Sequence, residues 1–259
     1  KELDNYDIIH SHGLRPDAYL WYHSNQIKPK TISTLHVYAK KDYNYRYNGL
    51  VGSVINKVWK YLDKKHDRII ALTEHMRNYY EKEWELKNIE VIPNTRLIEY
   101  EGHDLNVENK IKEFKGDDFA LMNISNATEG KGLDQLIRVL PLVPDLKFIH
   151  IGKGEEIKNV KELASKLQVL DRCLFLGSLE NAHLYYKFSD AAIITSRSEG
   201  FSLTLLEAIE MRKACISTDL PAIKRSFSKG EVAFYEMENL VSLQKAINKV
   251  KENPETYIT

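Results

Sequence analysis

The chain has 259 residues, enough for two cores of ordinary size. Hydrophobic residues make up 43% and charged residues 29%, a globular balance that excludes disordered and collagen-like classes. Lys plus Arg (37) equals Asp plus Glu (37), so there is no whole-surface basic field for nucleic acid, and two cysteines, Cys173 and Cys215, exclude a disulfide framework.

Short β-branched runs alternate with amphipathic helical stretches. In the first half they are DIIHSHG (Asp7 to Gly13), TISTLHVY (Thr31 to Tyr38), DRIIALT (Asp67 to Thr73) and IEVIPN (Ile89 to Asn94). In the second half they are DFALMNIS (Asp118 to Ser125), LKFIHIG (Leu146 to Gly152), CLFLGS (Cys173 to Ser178), AAIITS (Ala191 to Ser196) and KACIST (Lys213 to Thr218). Runs apolar on both faces and separated by helices predict parallel strands covered by helices on each side, an α/β, doubly wound class. The charged stretch Thr95 to Gly116 predicts a crossing between two Rossmann-like domains, 1–116 and 117–259. The second domain predicts about six strands, whereas the first shows four and opens as if its first βαβ part were missing. No apolar run reaches the roughly 18 residues of a membrane span. The charged opening KELDNYD does not read as a signal peptide, so the expected compartment is the cytoplasm.

The most informative segment is SEGFSLTLLEAIEM, Ser198 to Met211. A strand ends, a loop carries Glu199, Gly200 and Phe201, and a helix begins near Ser202. Ligands of open α/β sheets bind beyond the carboxyl ends of strands, and a helix N-terminus there offers free N–H groups to a phosphate. Ser202 suits the N-cap, and Gly200 allows close backbone approach. Glu199 and Glu207 are poor neighbours for a diphosphate but good acceptors for sugar and ribose hydroxyls. They are equally a first-turn acid and a solvated helix residue. In NATEGKGLDQLI, Lys131 sits between Gly130 and Gly132 at another helix start, placed either to neutralise a diphosphate or as an exposed turn lysine. The spacing is not that of a Walker loop, and no GxGxxG follows the first strand of either domain, which argues against a dinucleotide oxidoreductase.

These motifs resemble the retaining nucleotide-sugar glycosyltransferases of the GT-B fold, family 4, or glycosyl transferases group 1. EGFSLTLLEA is similar to that family's paired-glutamate signature, KGLDQLI to its lysine-glycine helix start, IGKGEE to its glycine turn, and VIPNT to its exit from the N-terminal domain. The resemblance covers nearly the whole chain and implies two Rossmann-like domains facing a cleft.

It also implies a hexosyl-type transferase taking a nucleoside-diphosphate sugar, a UDP-sugar with a GDP-sugar as the alternative, to a glycan or lipid-linked hydroxyl acceptor in polysaccharide biosynthesis. By the same resemblance Glu199 contacts the transferred sugar and His36, in STLHVY, faces the reaction centre. Glu207 holds the donor ribose, Gly200, Phe201, Ser202 and Leu203 present amides, and Lys131 pairs with the diphosphate. No metal or other cofactor is implied. Four places depart from the family pattern. Asn126 stands where an arginine is usual, MRKAC and TDLPAIKRS replace small, glycine-containing turns, and the first glycine-rich loop has no counterpart. These departures keep open a non-catalytic nucleotide-sugar or carbohydrate-binding protein.

Two further features stand apart. His10 and His12 share a strand face with His23 and His36 nearby in sequence, but no Cys or carboxylate completes a zinc set at ligand spacing. His12 is an acceptor-side candidate by the resemblance. The stretch Tyr38 to Asp67 places Val51, Val54, Ile55, Val58 and Leu62 among Lys57, Lys60, Lys64 and Lys65. That pattern fits an ordinary amphipathic helix with a solvated basic face, or a peripheral contact with the inner face of a membrane.

Overall fold

The computed structural model describes residues 3–47, 49–98, 100, 102–227 and 230–258. The chain forms two compact units: Lys1–Asn94 with Ser198–Phe201, and Thr95–Arg197 with Ser202–Thr259.

Unit 1 runs β1 (Ile8–His12), α1 (Leu14–Tyr22), β2 (Lys30–Leu35), α2 (Ala39–Arg46), α3 (Gly49–Asp63), β3 (Arg68–Ala71), α4 (Glu74–Trp84) and β4 (Ile89–Val91). Its four strands lie parallel in the order β1-β2-β3-β4. Leu35, Ile69 and Ala71 of the sheet are fully buried, together with Met76, Tyr80 and Trp84 of α4. Helix α3 buries Gly52, Trp59, Leu62 and Asp63 rather than its valines. Val51, Val54 and Val58 lie outside, so the amphipathic face expected from the valine spacing points to solvent.

Unit 2 runs α5 (Leu105–Lys115), β5 (Phe119–Ile124), α6 (Leu133–Val139), β6 (Leu146–Ile151), α7 (Ile157–Lys166), β7 (Cys173–Phe175), β8 (Ala191–Ile194), α8 (Leu203–Glu210), β9 (Ala214–Thr218), α9 (Pro221–Ser226), β10 (Ala233–Tyr235) and α10 (Leu240–Glu252). Its six strands are parallel, in the order β10-β9-β8-β5-β6-β7. Alternation along the strands divides the core. Leu121, Phe148, Ile193 and Ile216 pack on one face with Leu136, Val160 and Ile247. Met122, Ile149, Ile194 and Cys215 pack on the other with Ile111, Leu205 and Ile223.

Two sequence expectations shift. The domain boundary expected at Gly116 falls at Asn94–Thr95, because Ile111 of α5 is fully buried in the second core. The sixth strand of unit 2 is β10, whose three residues lie outside the named runs.

Candidate active site

Strand order in unit 2 reverses between β5 and β8: β6 and β7 follow β5 on one side, β9 and β10 follow β8 on the other. Such a switch point leaves a crevice at the carboxyl ends of the strands. A cavity of about 360 Å³ lies there. It is lined by Ile124, Ser125 and Asn126 after β5, Ile151 and Gly152 after β6, Ser178 to His183 in part, Leu203, Thr204 and Glu207 of α8, and Arg96. Gly152 has φ +146°, and a Cβ there would meet the Ser125 carbonyl oxygen at 1.8 Å, so glycine is what lets the turn close beside the cavity.

Helix α8 begins as the sequence predicts. Ser202 caps it, its hydroxyl accepting from the Leu205 amide at 3.3 Å. Glu207 lies one turn further on and is 4% exposed, which removes its solvated-helix interpretation. The Arg96 Nε–H stands 2.7 Å from Glu207 Oε1. Burial raises the Glu207 carboxyl above its usual range, and the charges of Arg96 and His183 oppose the rise. An acceptor carboxylate held in a small cavity by one guanidinium is suited to hydrogen-bonding a diol.

Lys131 closes a 3₁₀ turn, Glu129–Lys131, one residue before the N-cap of α6. Its carbonyl accepts from Thr195 Oγ1 at 2.8 Å, which ties the turn to the end of β8. Asn126, in the same β5–α6 connection, reaches the cavity wall. Arg197, the other cation near the signature, is held elsewhere. Its Nη2 donates to both Asp134 oxygens at 2.8 and 3.0 Å and its Nε to Glu238 at 2.5 Å. The cation that lines the cavity is Arg96, which the sequence did not single out. Its signal was its place directly after VIPNT, at the start of a charged segment that reads as a linker.

Glu199, Gly200 and Phe201 group with unit 1 rather than with α8. There Gly200 is packed so tightly that a Cβ would stand 2.3 Å from the His36 carbonyl oxygen and 2.9 Å from Met76 sulfur. His36 follows β2 directly, and its Nε2 is 2.8 Å from Nδ1 of His12, one imidazole donating to the other. The rings of His10 and His12 lie 4.3 Å apart. Burial, then the neighbouring His12 and His10, hold the His36 imidazole below its ordinary value. So Glu199, Gly200 and Phe201 share unit 1 with His12 and His36, while Lys131, Ser202, Leu203 and Glu207 share unit 2.

The chain matches two families: Glycosyl transferases group 1 over residues 106–257, and Glycosyltransferase Family 4 over residues 1–95. It is 31% identical to an Escherichia coli protein named O-antigen biosynthesis glycosyltransferase WclY, over 98% of this chain and 72% of that protein. Among solved structures it is similar to Anabaena HepE in complex with UDP-glucose, with TM-score 0.85 at 17% identity, covering 99% of this chain and 72% of that one. Sucrose-phosphate synthase from Thermosynechococcus elongatus gives TM-score 0.85 at 16% identity, covering 98% and 66%. At such identities the two structures speak for the fold, and that fold is the GT-B one. With its second unit matched almost end to end and its cavity at the strand-order switch, this chain is a transferase belonging to the glycosyl transferases group 1 family.

Proposed function

We propose that the chain moves a sugar from a UDP-sugar to a hydroxyl of a cell-surface glycan or its lipid-linked precursor, with retention at the anomeric carbon. The observation that carries the donor assignment is buried Glu207 facing the switch-point cavity beside Arg96. It is supported by the UDP-glucose held in the HepE complex and by O-antigen biosynthesis in the name of WclY. Glu207 takes the ribose hydroxyls. The amides after Ser202 and the Lys131 ammonium stabilise charge building on the departing diphosphate, so no catalytic metal is required. Glu199 and His36 act on the sugar undergoing transfer, with His12 behind His36 toward the acceptor.

The test is calorimetric titration of the full chain with UDP, GDP and ADP, followed by proton NMR of the product's anomeric centre. UDP is expected to bind tightest, with the donor configuration kept. Failure of all three nucleotides to bind, or inversion, overturns the proposal.

A membrane contact belongs to the same proposal. Leu50, Val54, Val58 and Tyr61 of α3 recur at helical spacing, each 48% exposed or more, with Lys57, Lys64 and Lys65 also exposed. Apolar side chains edged by lysines suit an anionic lipid surface, where a lipid-linked acceptor would be held. Among the described residues no helix is long and apolar enough to cross a membrane.

A further inference from the structure

Unit 1 buries a group of ionisable side chains that the transfer reaction does not use. Asp17 on α1 and Asp63, the last residue of α3, are 0% exposed, and His66, in the turn before β3, is 5% exposed. Asp17 is held on both sides: Ser11 donates to Oδ1, and the Trp59 indole donates to Oδ2 at 2.8 Å. Asp63 differs. Neither of its carboxylate oxygens, and neither ring nitrogen of His66, has a hydrogen-bond partner. Asp63 also sits at a helix C-terminus, where the dipole repels negative charge. Two buried carboxylates side by side, one of them with both oxygens orphaned, are costly unless something positive lies between them.

We infer that Asp17, Asp63 and His66 form a structural site for a divalent first-row metal ion, zinc being the best match to a nitrogen-and-oxygen set. His66 Nε2 lies 3.5 Å from Asp17 Oδ1 and 3.9 Å from Asp63 Oδ1, and one ligand atom from each residue falls within 4.8 Å of the others. Donors about 2.0–2.1 Å from a tetrahedral zinc lie roughly 3.3 Å apart, so the three donors must draw together on the ion, and water would take the fourth position. A neutral imidazole and two carboxylates balance a dication. The Ser11 and Trp59 bonds orient Asp17 from behind, as supporting partners of metal ligands do. His66 also lines a cavity of about 130 Å³ with Leu20, Trp21 and Lys65, next to the group. The ion would clamp α1 to the end of α3 and stiffen unit 1, separately from the chemistry at Glu207.

The rival arrangement is a proton shared between the two aspartates, and the test separates them. The full chain is purified, stripped with a chelator and titrated with zinc chloride and, separately, cobalt chloride. Metal content is read by mass spectrometry, ligand geometry by the cobalt visible spectrum, and stability by thermal melting. The expected results are about one zinc per chain after desalting, tetrahedral cobalt bands, and a melting point raised by roughly 5 °C or more in excess zinc. The isosteric change Asp63→Asn, and separately His66→Gln, should abolish stoichiometric binding and the zinc-induced rise. No retained metal, no cobalt bands and a melting point indifferent to zinc would overturn the site. So would an infrared band of a protonated carboxylic acid, present in zinc-treated protein and lost in Asp63→Asn. UDP binding measured on the same samples reports separately on the donor proposal.

Discussion

Arg96 Nε lies 2.7 Å from Glu207 Oε1, joining the segment that leaves the first unit's last strand to the signature helix α8. Both residues line the same cavity as Asn126, the position where the family resemblance leads one to expect an arginine. Arg96 therefore brings a guanidinium to the wall of this cavity, which Lys131 does not line. In the donor arrangement proposed above, a nucleotide would compete for both partners: its ribose hydroxyls for the carboxylate, its phosphate oxygens for the guanidinium. Glu207→Gln should weaken UDP binding by about 10–100-fold, the worth of a charge-assisted hydrogen bond. Arg96→Ala should weaken UDP more than uridine, since it removes a phosphate partner. Calorimetry with both ligands checks this, and equal losses for UDP and uridine would assign Arg96 to the ribose end alone.

The same pair sets a pH dependence. Burial raises the Glu207 carboxyl, and Arg96 opposes the rise. The ionised form accepts ribose hydroxyls, so UDP affinity should improve as pH rises from about 4.5 through the raised value. The linkage to stability runs the other way. A carboxyl raised on folding contributes stability below its unfolded value, and this is lost as pH rises through the folded one. In Arg96→Ala both midpoints should move to higher pH. UDP titrations and melting curves at stepped pH read the shift, and midpoints that do not move would show that Arg96 leaves Glu207 electrostatically untouched.

Gly152 closes the turn after β6 with φ +146°, against the Ser125 carbonyl. Gly152→Ala combines a disfavoured backbone with a clash against main chain, which cannot swing aside as a side chain can. The expected cost is about 2–4 kcal/mol, a melting-point fall of roughly 5–10 °C, together with weaker UDP binding. Thermal melting and calorimetry on one sample check both effects.

Much of this was legible in the residues. Strands β1 to β9 stood out because a parallel strand covered on both faces must be apolar at successive positions, and few helices show such short β-branched runs. Ser202 as a cap follows from local chemistry alone, whereas the glycine turn that holds Gly152 came from the family resemblance. What escaped depends on pairing across the chain. β10 has only three residues, too few for a pattern. Arg96 gains meaning only opposite Glu207, and α5 belongs to unit 2 only because Ile111 finds that core. The periodicity of α3 was visible, but not which side faced inward. Gly52 packs where a Cβ would lie 2.1 Å from the Asn44 side-chain oxygen, and Trp59 fills the core, so the valines are left outside.

His36 should make unit 1 sensitive to acid. Its imidazole is held below the ordinary 6.5, first by burial and then by His12 and His10. A base whose folded value is depressed contributes stability that is complete above its unfolded value. That stability is lost as pH falls from about 6.5 through the folded value. The melting point should therefore drop between pH 7 and pH 5, and His36→Gln, which keeps a hydrogen-bonding group near His12, should flatten the drop. A profile unchanged by the substitution would place the acid sensitivity elsewhere.

The exposed face of α3 allows a test that leaves the core alone. Val54 and Val58 are 54% and 48% exposed, so changing both to aspartate should alter stability by no more than about 0.5 kcal/mol each. If α3 rests on a lipid surface, those carboxylates face the headgroups and meet anionic charge with like charge. Sedimentation with vesicles of mixed neutral and anionic lipid should pull down the unchanged chain at low salt and release it as salt screens the lysines. The double variant should stay in the supernatant at every salt concentration while binding UDP as before. Equal sedimentation of the two proteins would remove α3 from the membrane contact, and loss of UDP binding in the variant would show that α3 supports the fold of the site instead.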